Sequence, residues 1–366
     1  MVRILHLADF HLDSLFDALP PTKAAERRGE FRETIGRAVQ YANESAVDLI
    51  LIPGDMFDGG SVFYETADAV SRELAKARAL VFIAPGNHDC YAPGSIYTSI
   101  HWSDNVHIFK SGEIERIKIP KLGASVYGAA FTAPGCDRSL LAGFHADEDD
   151  VSIMVLHGDL NQPNSRYNPI SEADIRASGL DYLALGHVHA YSGIKKAGST
   201  TYAYCGCIEG RGFDEQDDKG VIVGGVGKNE SVLSFLPIAK RRCLSRELDV
   251  TELSAGEIPA KILSLFEPGS RMDIVKVTLL GERNIGEISA EDIEKEISDE
   301  FYHIVVHDET RVRRDLWQDT GADTLKGQFL QAMKIAVNNA KDDAERAKIE
   351  LAARFGIAAL EKREWI

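Results

Sequence analysis

In the first 190 residues of this 366-residue chain, strand-like apolar runs alternate with segments of helical periodicity. The runs VRILHL and LILI are separated by a stretch in which Phe31, Ile35 and Val39 lie at helical spacing, and a second helical pattern precedes LVFIA. Alternation of this kind is typical of βαβ units, in which helices cover the faces of a parallel sheet. The pattern therefore predicts an α/β fold with a buried parallel sheet.

The remainder of the chain changes character twice. After residue 105 the predicted strands lie closer together, and the runs KGVIVGGV and SVLSFLPI indicate a hairpin. Beyond the basic trio 240–242, short apolar runs and two helical patterns, near 256–266 and 289–299, predict a small βαβαβ module. From Thr324 onward the chain is predicted to be helical to its last residue, with a break at Gly356. The sequence thus predicts three parts, at residues 1–240, 243–315 and 320–366.

Five of the predicted strands end in polar side chains that bind metals or transfer protons. The five motifs are ADFH, GDMFD, GNHD, LHGD and GHVH. They contain Asp9, His11, Asp55, Asp58, Asn87, His88, His157, His187 and His189. Because sites in open α/β sheets are built at the carboxyl ends of the strands, we expect these side chains to converge.

The chemistry of this set is that of a site for two divalent cations. On an extended segment, residues i and i+2 point the same way, so Asp9 and His11 can present paired ligands. Mixed imidazole, carboxylate and amide ligation suits manganese, iron or zinc better than magnesium or calcium. A carboxylate such as Asp55 can bridge two ions. Two ions about 3.5–4 Å apart can generate a hydroxide at neutral pH and hold both oxygens of a phosphate-ester cleavage.

Composition says more about the cellular compartment of the protein than about its activity. A formal net charge of −16 disfavours a protein that coats nucleic acid electrostatically, but it does not exclude a nuclease, because bound cations supply positive charge. The five cysteines are scattered and odd in number, which fits a reducing compartment. Charged residues interrupt the first apolar run, and no run approaches the roughly 20 residues of a membrane span. The sequence therefore predicts a cytoplasmic protein without a membrane segment.

The order DxH, GDxxD, GNHD, H and GHxH resembles the calcineurin-like metallophosphoesterases over residues 5–190. Within that superfamily, HLADFHLDS, the YNPI segment, DYLALGHVH and residues 206–220 are similar to the SbcD-type DNA repair exonucleases. The resemblance implies a metallophosphoesterase α/β sandwich, with two sheets flanked by helices. It also implies a catalytic domain at 1–240, a small α/β cap at 243–315 and a helical C-terminal segment at 320–366.

The resemblance also implies a role for each motif residue. One metal would be bound by Asp9, His11, Asp55 and His189, and the other by Asp55, Asn87, His157 and His187. His88 would stabilise the transition state or protonate the leaving oxygen, and Asp58 would orient it. A helix N-cap is the alternative role for Asp58. Asp89 is expected to shape the turn or support a ligand.

Two departures from the family pattern are visible. Phosphoprotein phosphatases with a similar core carry an arginine after the second Asp of GDxxD, where it binds phosphate, whereas Gly59 and Gly60 follow Asp58 here. This difference argues against that branch. Cys205 and Gly206 stand where SbcD-like proteins commonly have Pro-Gly, and the two cysteines of CGC at 205–207 are predicted to be buried small residues rather than ligands.

The predicted function is hydrolysis of DNA phosphodiester bonds by a repair exonuclease or end-processing nuclease. Two divalent ions, manganese foremost and iron or zinc as alternatives, would activate a bridging hydroxide nucleophile. The first alternative is the same chemistry on small or cyclic nucleotides, and the second is a binding scaffold with a degenerate site. The resemblance implies DNA as a partner, an SbcC-like coiled-coil ATPase that would dock on the cap and C-terminal helices, and a second copy of the chain. The alternative role for the tail from Thr324 is to cover the cap.

The residues that would contact DNA are not identified by any motif. The basic candidates are Arg27, Arg28, Arg32, Arg211, Lys240, Arg241, Arg242, Arg311, Arg313 and Arg314. A charged cluster is more often a solvated face than a binding site. No basic stripe interleaved with aromatic residues is present, so contacts to the DNA backbone are expected rather than recognition of a base sequence.

Overall fold

The computed structural model describes residues 1–16, 19–59, 62–147, 149–283, 289–312 and 316–360. Gly60, Arg313 and Arg314 lie outside these ranges, as do residues 361–366. The described contacts divide the chain into two compact units. The first contains Met1–Arg246, Phe266–Lys276 and Ile297–Val305, and the second contains Glu247–Leu265, Val277–Glu296 and Val306–Ile366. The predicted division into three parts stays a prediction.

The first unit contains a six-stranded sheet built largely from the predicted βαβ segments. Its strands are β1 (Val2–His6), β2 (Leu49–Ile52), β3 (Leu80–Ile83), β4 (Val106–Ile108), β11 (Gly220–Gly227) and β12 (Glu230–Pro237). Their order is β12-β11-β1-β2-β3-β4, and β1 to β4 are parallel. The predicted hairpin is confirmed: β11 and β12 pair antiparallel, and Asn229 takes a left-handed φ of 58° in the turn between them.

A second six-stranded sheet follows in the same unit. Its strands are β5 (Glu115–Ile119), β6 (Ala124–Gly128), β7 (Val151–His157), β8 (Tyr182–Gly186), β9 (Lys195–Ala197) and β10 (Thr200–Tyr204). Their order is β5-β6-β7-β8-β10-β9. The inner strands β6, β7, β8 and β10 are parallel, and the two edge strands are antiparallel to their neighbours.

The two sheets pack face to face with helices outside. The helices of this unit are α1 (Pro21–Glu44), α2 (Tyr64–Ala75), α3 (Ile96–Ser99) and α4 (Glu172–Ala177). Phe31, Ile35 and Val39 are buried against one face of the first sheet, which confirms their helical spacing. Alternate residues of the strands, such as Leu49 and Val155, form a second core between the sheets. This mixed α/β sandwich confirms the predicted fold class.

A buried ionic cluster holds the α1 helix against the loop after β10. Arg27 is fully buried and donates to Glu30 at 2.6 Å and to Glu209 at 3.1 Å. Arg241 is also buried and donates to Glu30 at 2.6 Å. Removing one partner of such a cluster leaves an uncompensated buried charge, which costs about 3–5 kcal/mol. Arg27 and Arg241 are therefore structural residues, and their buried side chains make them poor members of the basic set proposed as candidates for DNA contact.

The remaining elements lie wholly or partly in the second unit. They are the strands β13 (Cys243–Asp249), β14 (Ile274–Leu280), β15 (Glu282–Arg283), β16 (His303–Asp308) and β17 (Arg311–Val312), and the helices α5 (Ile258–Leu263), α6 (Ala290–Ile297), α7 (Leu325–Asn338) and α8 (Asp343–Leu360). The order β13-β14-β16 forms a three-stranded sheet, as the βαβαβ pattern predicts. No helix in the described part of the chain is both long and apolar enough to cross a membrane.

The predicted helix break at Gly356 is wrong. The α8 helix continues through this residue to Leu360, and the interruption falls instead between Asn338 and Asp343. A Cβ at Gly356 would lie 2.1 Å from the Cζ atom of Phe329 on α7. The glycine therefore permits close contact between the two helices rather than ending one of them.

Candidate metal centre

The strand-end motifs meet at one edge of the sandwich. The backbone amide of Asp9 donates to the carbonyl of Gly54 at 3.2 Å, and that of His11 donates to the carbonyl of Asp55 at 3.0 Å. From the other sheet, His157 donates through Nδ1 to the carbonyl of Pro53 at 2.9 Å. These hydrogen bonds join the ends of β1, β2 and β7, and so bring the motifs of both sheets into one site.

Four of the predicted ligands have left-handed backbone conformations. The φ angles are 51° at Asp9, 43° at His11, 49° at Asp55 and 108° at His187. Such angles cost a residue with a Cβ roughly 1–2 kcal/mol. The extended geometry that was expected to pair Asp9 with His11 is therefore wrong, although both side chains do reach the site. Tight turns after the strands, rather than the strands themselves, aim these ligands.

The first group of ligand atoms comes from Asp9, His11 and His189, which lie within 4.8 Å of one another. The Nε2 atoms of His11 and His189 face each other at 3.0 Å. The Nδ1 atom of His189 lies 2.7 Å from a carboxylate oxygen of Glu215, which can only accept, so Nδ1 carries the proton and Nε2 carries a lone pair. This lone pair points towards His11, as a shared cation requires.

The second group comes from Asp55, His157 and His187, again within 4.8 Å. Because Nδ1 of His157 donates to Pro53, Nε2 is the ring atom that faces the site, 2.8 Å from Asn87 Oδ1 and 3.3 Å from Asp55 Oδ2. His187 Nδ1 approaches the same Asn87 oxygen at 3.2 Å. Atoms with lone pairs packed this closely need a positive charge between them, which a proton on His157 or a bound cation supplies. The donor set therefore fits a divalent cation.

Asp55 belongs to the second group and also lies close to the first. The same oxygen, Oδ2, lies 3.3 Å from His157 Nε2 and 3.7 Å from His11 Nε2. The other oxygen accepts from the backbone amide of His88 at 3.0 Å. A Cβ at Gly86 would lie 2.2 Å from this second oxygen, so the Pro85-Gly86 turn needs glycine for its close approach to the carboxylate. The geometry suits a carboxylate that bridges two ions.

The pKa values of two buried residues also indicate that the centre needs positive charge. Burial raises the pKa of Asp9 to about 7. Burial alone would lower the pKa of His157, but the carboxylates of Asp55 and Asp9 raise it to about 9. Both groups thus attract protons near neutral pH. Since metal ligands must be deprotonated, a bound cation would displace these protons and its affinity would rise with pH.

His88 and Asp58 form a pair beside the two groups. His88 Nδ1 lies 3.1 Å from Asp58 Oδ1, and the Ser14 hydroxyl donates to the other Asp58 oxygen at 3.1 Å. The hydrogen bond from Asp58 raises the pKa of His88, although burial opposes this shift. The α2 helix begins at Tyr64 with Phe63 as its N-cap, so the alternative role of Asp58 as a helix cap is wrong.

Asp89 supports the centre without reaching it. Its buried carboxylate accepts from the backbone amides of Met56 at 2.8 Å and Gly86 at 2.7 Å, and from the Tyr97 hydroxyl at 2.6 Å. It thereby holds the GDMFD loop against the GNHD turn. Because every described bond of Asp89 goes to these loops and to Tyr97, the side chain shapes the turn, as the sequence predicts.

The two cysteines of the CGC segment fit their predicted role. Cys205 and Cys207 are buried, and burial raises the pKa of both thiols well above its ordinary value, so they stay protonated, as expected of residues that are not ligands.

Glu215 is a residue of the centre that was not identified from the sequence. Its buried carboxylate accepts a hydrogen bond from His189. The only sequence signal for this residue is that it lies in the polar, glycine-containing segment 206–220.

Comparison with known proteins agrees with the fold and the centre. The family profile of the calcineurin-like phosphoesterases matches residues 2–191. This match covers more than half of the chain, and it contains every proposed metal ligand. The chain therefore belongs to the calcineurin-like phosphoesterase family, and it is a metallophosphoesterase.

Individual relatives are more distant. The chain is 31% identical over 231 residues to the uncharacterized metallophosphoesterase YhaO of Bacillus subtilis, covering 60% of this chain and 56% of that protein. It is 26% identical over 227 residues to the DNA double-strand break repair protein Mre11 of Aeropyrum pernix, covering 57% and 54%. For the Mre11 of Saccharolobus solfataricus the identity is 24% over 301 residues, covering 74% and 76%. The chain thus spans about half the length of the first two relatives.

Among solved structures, the crystal structure of a dimetal phosphatase from Danio rerio matches with a TM-score of 0.38 and 12% identity. The match covers 63% of this chain and 98% of that one.

Proposed function

We propose that this metallophosphoesterase hydrolyses phosphodiester bonds of DNA, as an exonuclease or end-processing nuclease of repair. The observation that carries the proposal is the pair of neighbouring ligand groups, with Asp55 of the second group 3.7 Å from His11 of the first and His88 beside them. Three relatives named as DNA double-strand break repair proteins support the choice of DNA. The residues of the centre support manganese as the metal, with iron or zinc as alternatives, because they combine imidazole with oxygen ligands.

In this proposal each residue has one task. Two divalent ions, when bound, would supply a positive field that neutralises the phosphate and lowers the pKa of a water molecule. Asp9, His11 and His189 would hold one ion, and Asn87, His157 and His187 would hold the other, with Asp55 available to both. His88 donates its Nδ1 proton to Asp58 in a hydrogen bond, which leaves the opposite edge of its ring to give a proton to the leaving oxygen.

The Asp58–His88 pair gives a prediction about pH. A general acid must be protonated, so activity falls as pH rises through its pKa. The Asp58 carboxylate raises the pKa of His88, and its loss lowers that pKa. We therefore expect Asp58→Asn to move the high-pH decline of kcat to lower pH and to reduce kcat by about tenfold. The measurement is kcat against pH at saturating manganese with an alkyl phosphodiester, whose leaving oxygen needs a proton.

Asp68→Asn is the matched control, because Asp68 is a partly exposed residue of α2 that pairs with Arg72. It should keep the wild-type pH profile. A decline in Asp58→Asn at the wild-type pH would show that Asp58 does not act through His88.

The partners remain part of the proposal. Large apolar side chains on the C-terminal helices are exposed, among them Leu325 at 72%, Ile335 at 57% and Leu351 at 51%. Exposed apolar faces on helices suit docking against another helix, which supports an SbcC-like coiled-coil ATPase as a partner of this segment. We propose a second copy of the chain as a further partner on the ground of the sequence resemblance alone.

Small phosphodiesters are the second candidate substrate class. The observation that favours them is the net charge of −16, since a protein that follows a DNA backbone commonly carries a basic surface. Arg27 and Arg241 are moreover buried in ion pairs, which leaves fewer cations for such a surface.

End-labelled linear DNA, incubated with the protein and manganese beside bis(4-nitrophenyl) phosphate, tests the choice between the two classes. We expect products that shorten from the labelled end, and no cleavage when a chelator is added. Hydrolysis of the small ester alone would contradict the DNA proposal and favour the second class.

A further inference from the structure

The loop next to Asp58 has no room for a cationic side chain. A Cβ at Gly59 would lie 2.2 Å from the backbone carbonyl oxygen of His88, far inside van der Waals contact. An arginine at this position would therefore displace the backbone that carries His88 and Asn87. Any side chain that helps to hold an anionic phosphate must come from another part of the centre.

Arg211 is a cation that is fixed at the rim of this centre. Its Nε and Nη2 atoms donate to Glu215 Oε1 at 3.0 and 2.7 Å, and its backbone amide donates to Oε2 at 2.8 Å. Only 5% of the Glu215 surface is exposed, so the residues around it hold the carboxylate in place. Two hydrogen bonds from the guanidinium to this buried anchor remove much of its rotamer freedom before any substrate binds.

The same oxygen of Glu215 also holds a metal ligand. His189 Nδ1 lies 2.7 Å from Oε1 and 3.1 Å from Arg211 Nη2. Both of these nitrogens carry protons, so each donates to the carboxylate, and the 3.1 Å distance results from their shared acceptor. Glu215 thus fixes the ring of His189 and the guanidinium of Arg211 side by side, with the His189 lone pair directed at the centre.

The guanidinium retains donors for a ligand. Nη1 of Arg211 makes no hydrogen bond to the residues that the structure describes, and the side chain is 25% exposed. The guanidinium lies within electrostatic range of His11, His88 and Asp58. The neighbouring Lys219 is 4% exposed and donates to the His189 carbonyl at 3.1 Å, so its charge is turned away.

We propose that Arg211 binds a non-bridging oxygen of the substrate phosphate, and that Glu215 positions Arg211 and His189 together for this task. The inference deepens the proposed function and rests on it. A planar guanidinium offers paired donors at fixed spacing, which matches the geometry of a phosphate group. Arg211 would thus supply the protein cation for which position 59 has no room.

The test compares Arg211→Gln and Arg211→Lys with wild type and with Arg72→Gln, which changes an exposed arginine of α2. Each manganese-loaded protein is titrated with inorganic phosphate by calorimetry, and its metal content is measured. We expect Arg211→Gln to weaken phosphate binding by about 10- to 100-fold while it keeps the wild-type metal content. Arg211→Lys should recover part of the loss, and Arg72→Gln should match wild type.

Glu215→Gln separates positioning from binding. We expect it to weaken metal affinity by about 10- to 100-fold, because the carboxylate holds the His189 ring, and to weaken phosphate binding as well. Unchanged phosphate affinity in Arg211→Gln would overturn the inference. A loss of metal in Arg211→Gln equal to that in Glu215→Gln would also overturn it, since Arg211 would then only support His189.

The outcome is independent of whether DNA is the substrate. If the wild-type protein hydrolyses no phosphodiester, the proposed function fails, but the phosphate titration still shows whether Arg211 binds the anion. If hydrolysis occurs and phosphate binding is insensitive to Arg211, the inference fails and the proposed function stands.

Discussion

Replacing Asp55 with asparagine is expected to abolish binding of both metal ions and to reduce phosphodiester hydrolysis by more than about 100-fold. One Asp55 oxygen lies 3.3 Å from His157 Nε2 and 3.7 Å from His11 Nε2, so it serves both ligand groups. Residues that only support a ligand cost about 10- to 100-fold in affinity or activity when they are changed, and a shared ligand should cost more. Metal content by elemental analysis and the rate with bis(4-nitrophenyl) phosphate measure the two effects.

Asp68→Asn, the same chemical change on the exposed face of α2, is the control and should retain two ions per chain. If Asp55→Asn retained both ions at wild-type affinity, the bridging role would be wrong. If it lost one ion and kept the other, Asp55 would belong to a single group.

Replacing His88 with alanine is expected to reduce kcat by about 10²–10⁴-fold while both ions stay bound. The His88 side chain is 46% exposed and bonded to Asp58 rather than packed inside either ligand group. Its removal should therefore leave the ligand atoms in place. Elemental analysis shows retention of the metal, and steady-state kinetics at saturating manganese show the loss of turnover.

A further comparison distinguishes the proton donor from a merely structural residue. A substrate with a 4-nitrophenolate leaving group needs little protonation, so His88→Ala should lose less activity on it than on an alkyl ester. Equal losses on both esters would contradict the general-acid role. His145→Ala, which changes an exposed histidine outside the ligand groups, is the control and should behave as wild type with either ester.

The part of the centre that sequence could predict is the part that depends on topology. Parallel strands place their carboxyl ends at one edge, so Asp55 after β2 and Asn87 after β3 had to lie near each other. The hairpin and the helical spacing of Phe31, Ile35 and Val39 followed in the same way from periodicity. These features arise from patterns that recur along the chain.

Features set by single contacts could not be predicted in this way. Glycine often ends a helix, which is why a break was predicted at Gly356. The ring of Phe329 instead occupies the space that a side chain at this position would need. Arg27 suits a basic surface by its charge, but Glu30 and Glu209 bury it. Glu215 carries no motif, and its role depends on a 2.7 Å contact with His189, 26 residues away. In each case a tertiary contact overrides the local sequence preference.

The central claim is that the strand-end motifs build one centre for two ions. Anomalous diffraction from crystals of the manganese-loaded protein tests this claim most directly. We predict two peaks, one among Asp9, His11 and His189 and one among Asn87, His157 and His187, with Asp55 in contact with both. A single peak, or a peak held by His11, Asp58 and His88 instead, would contradict the account.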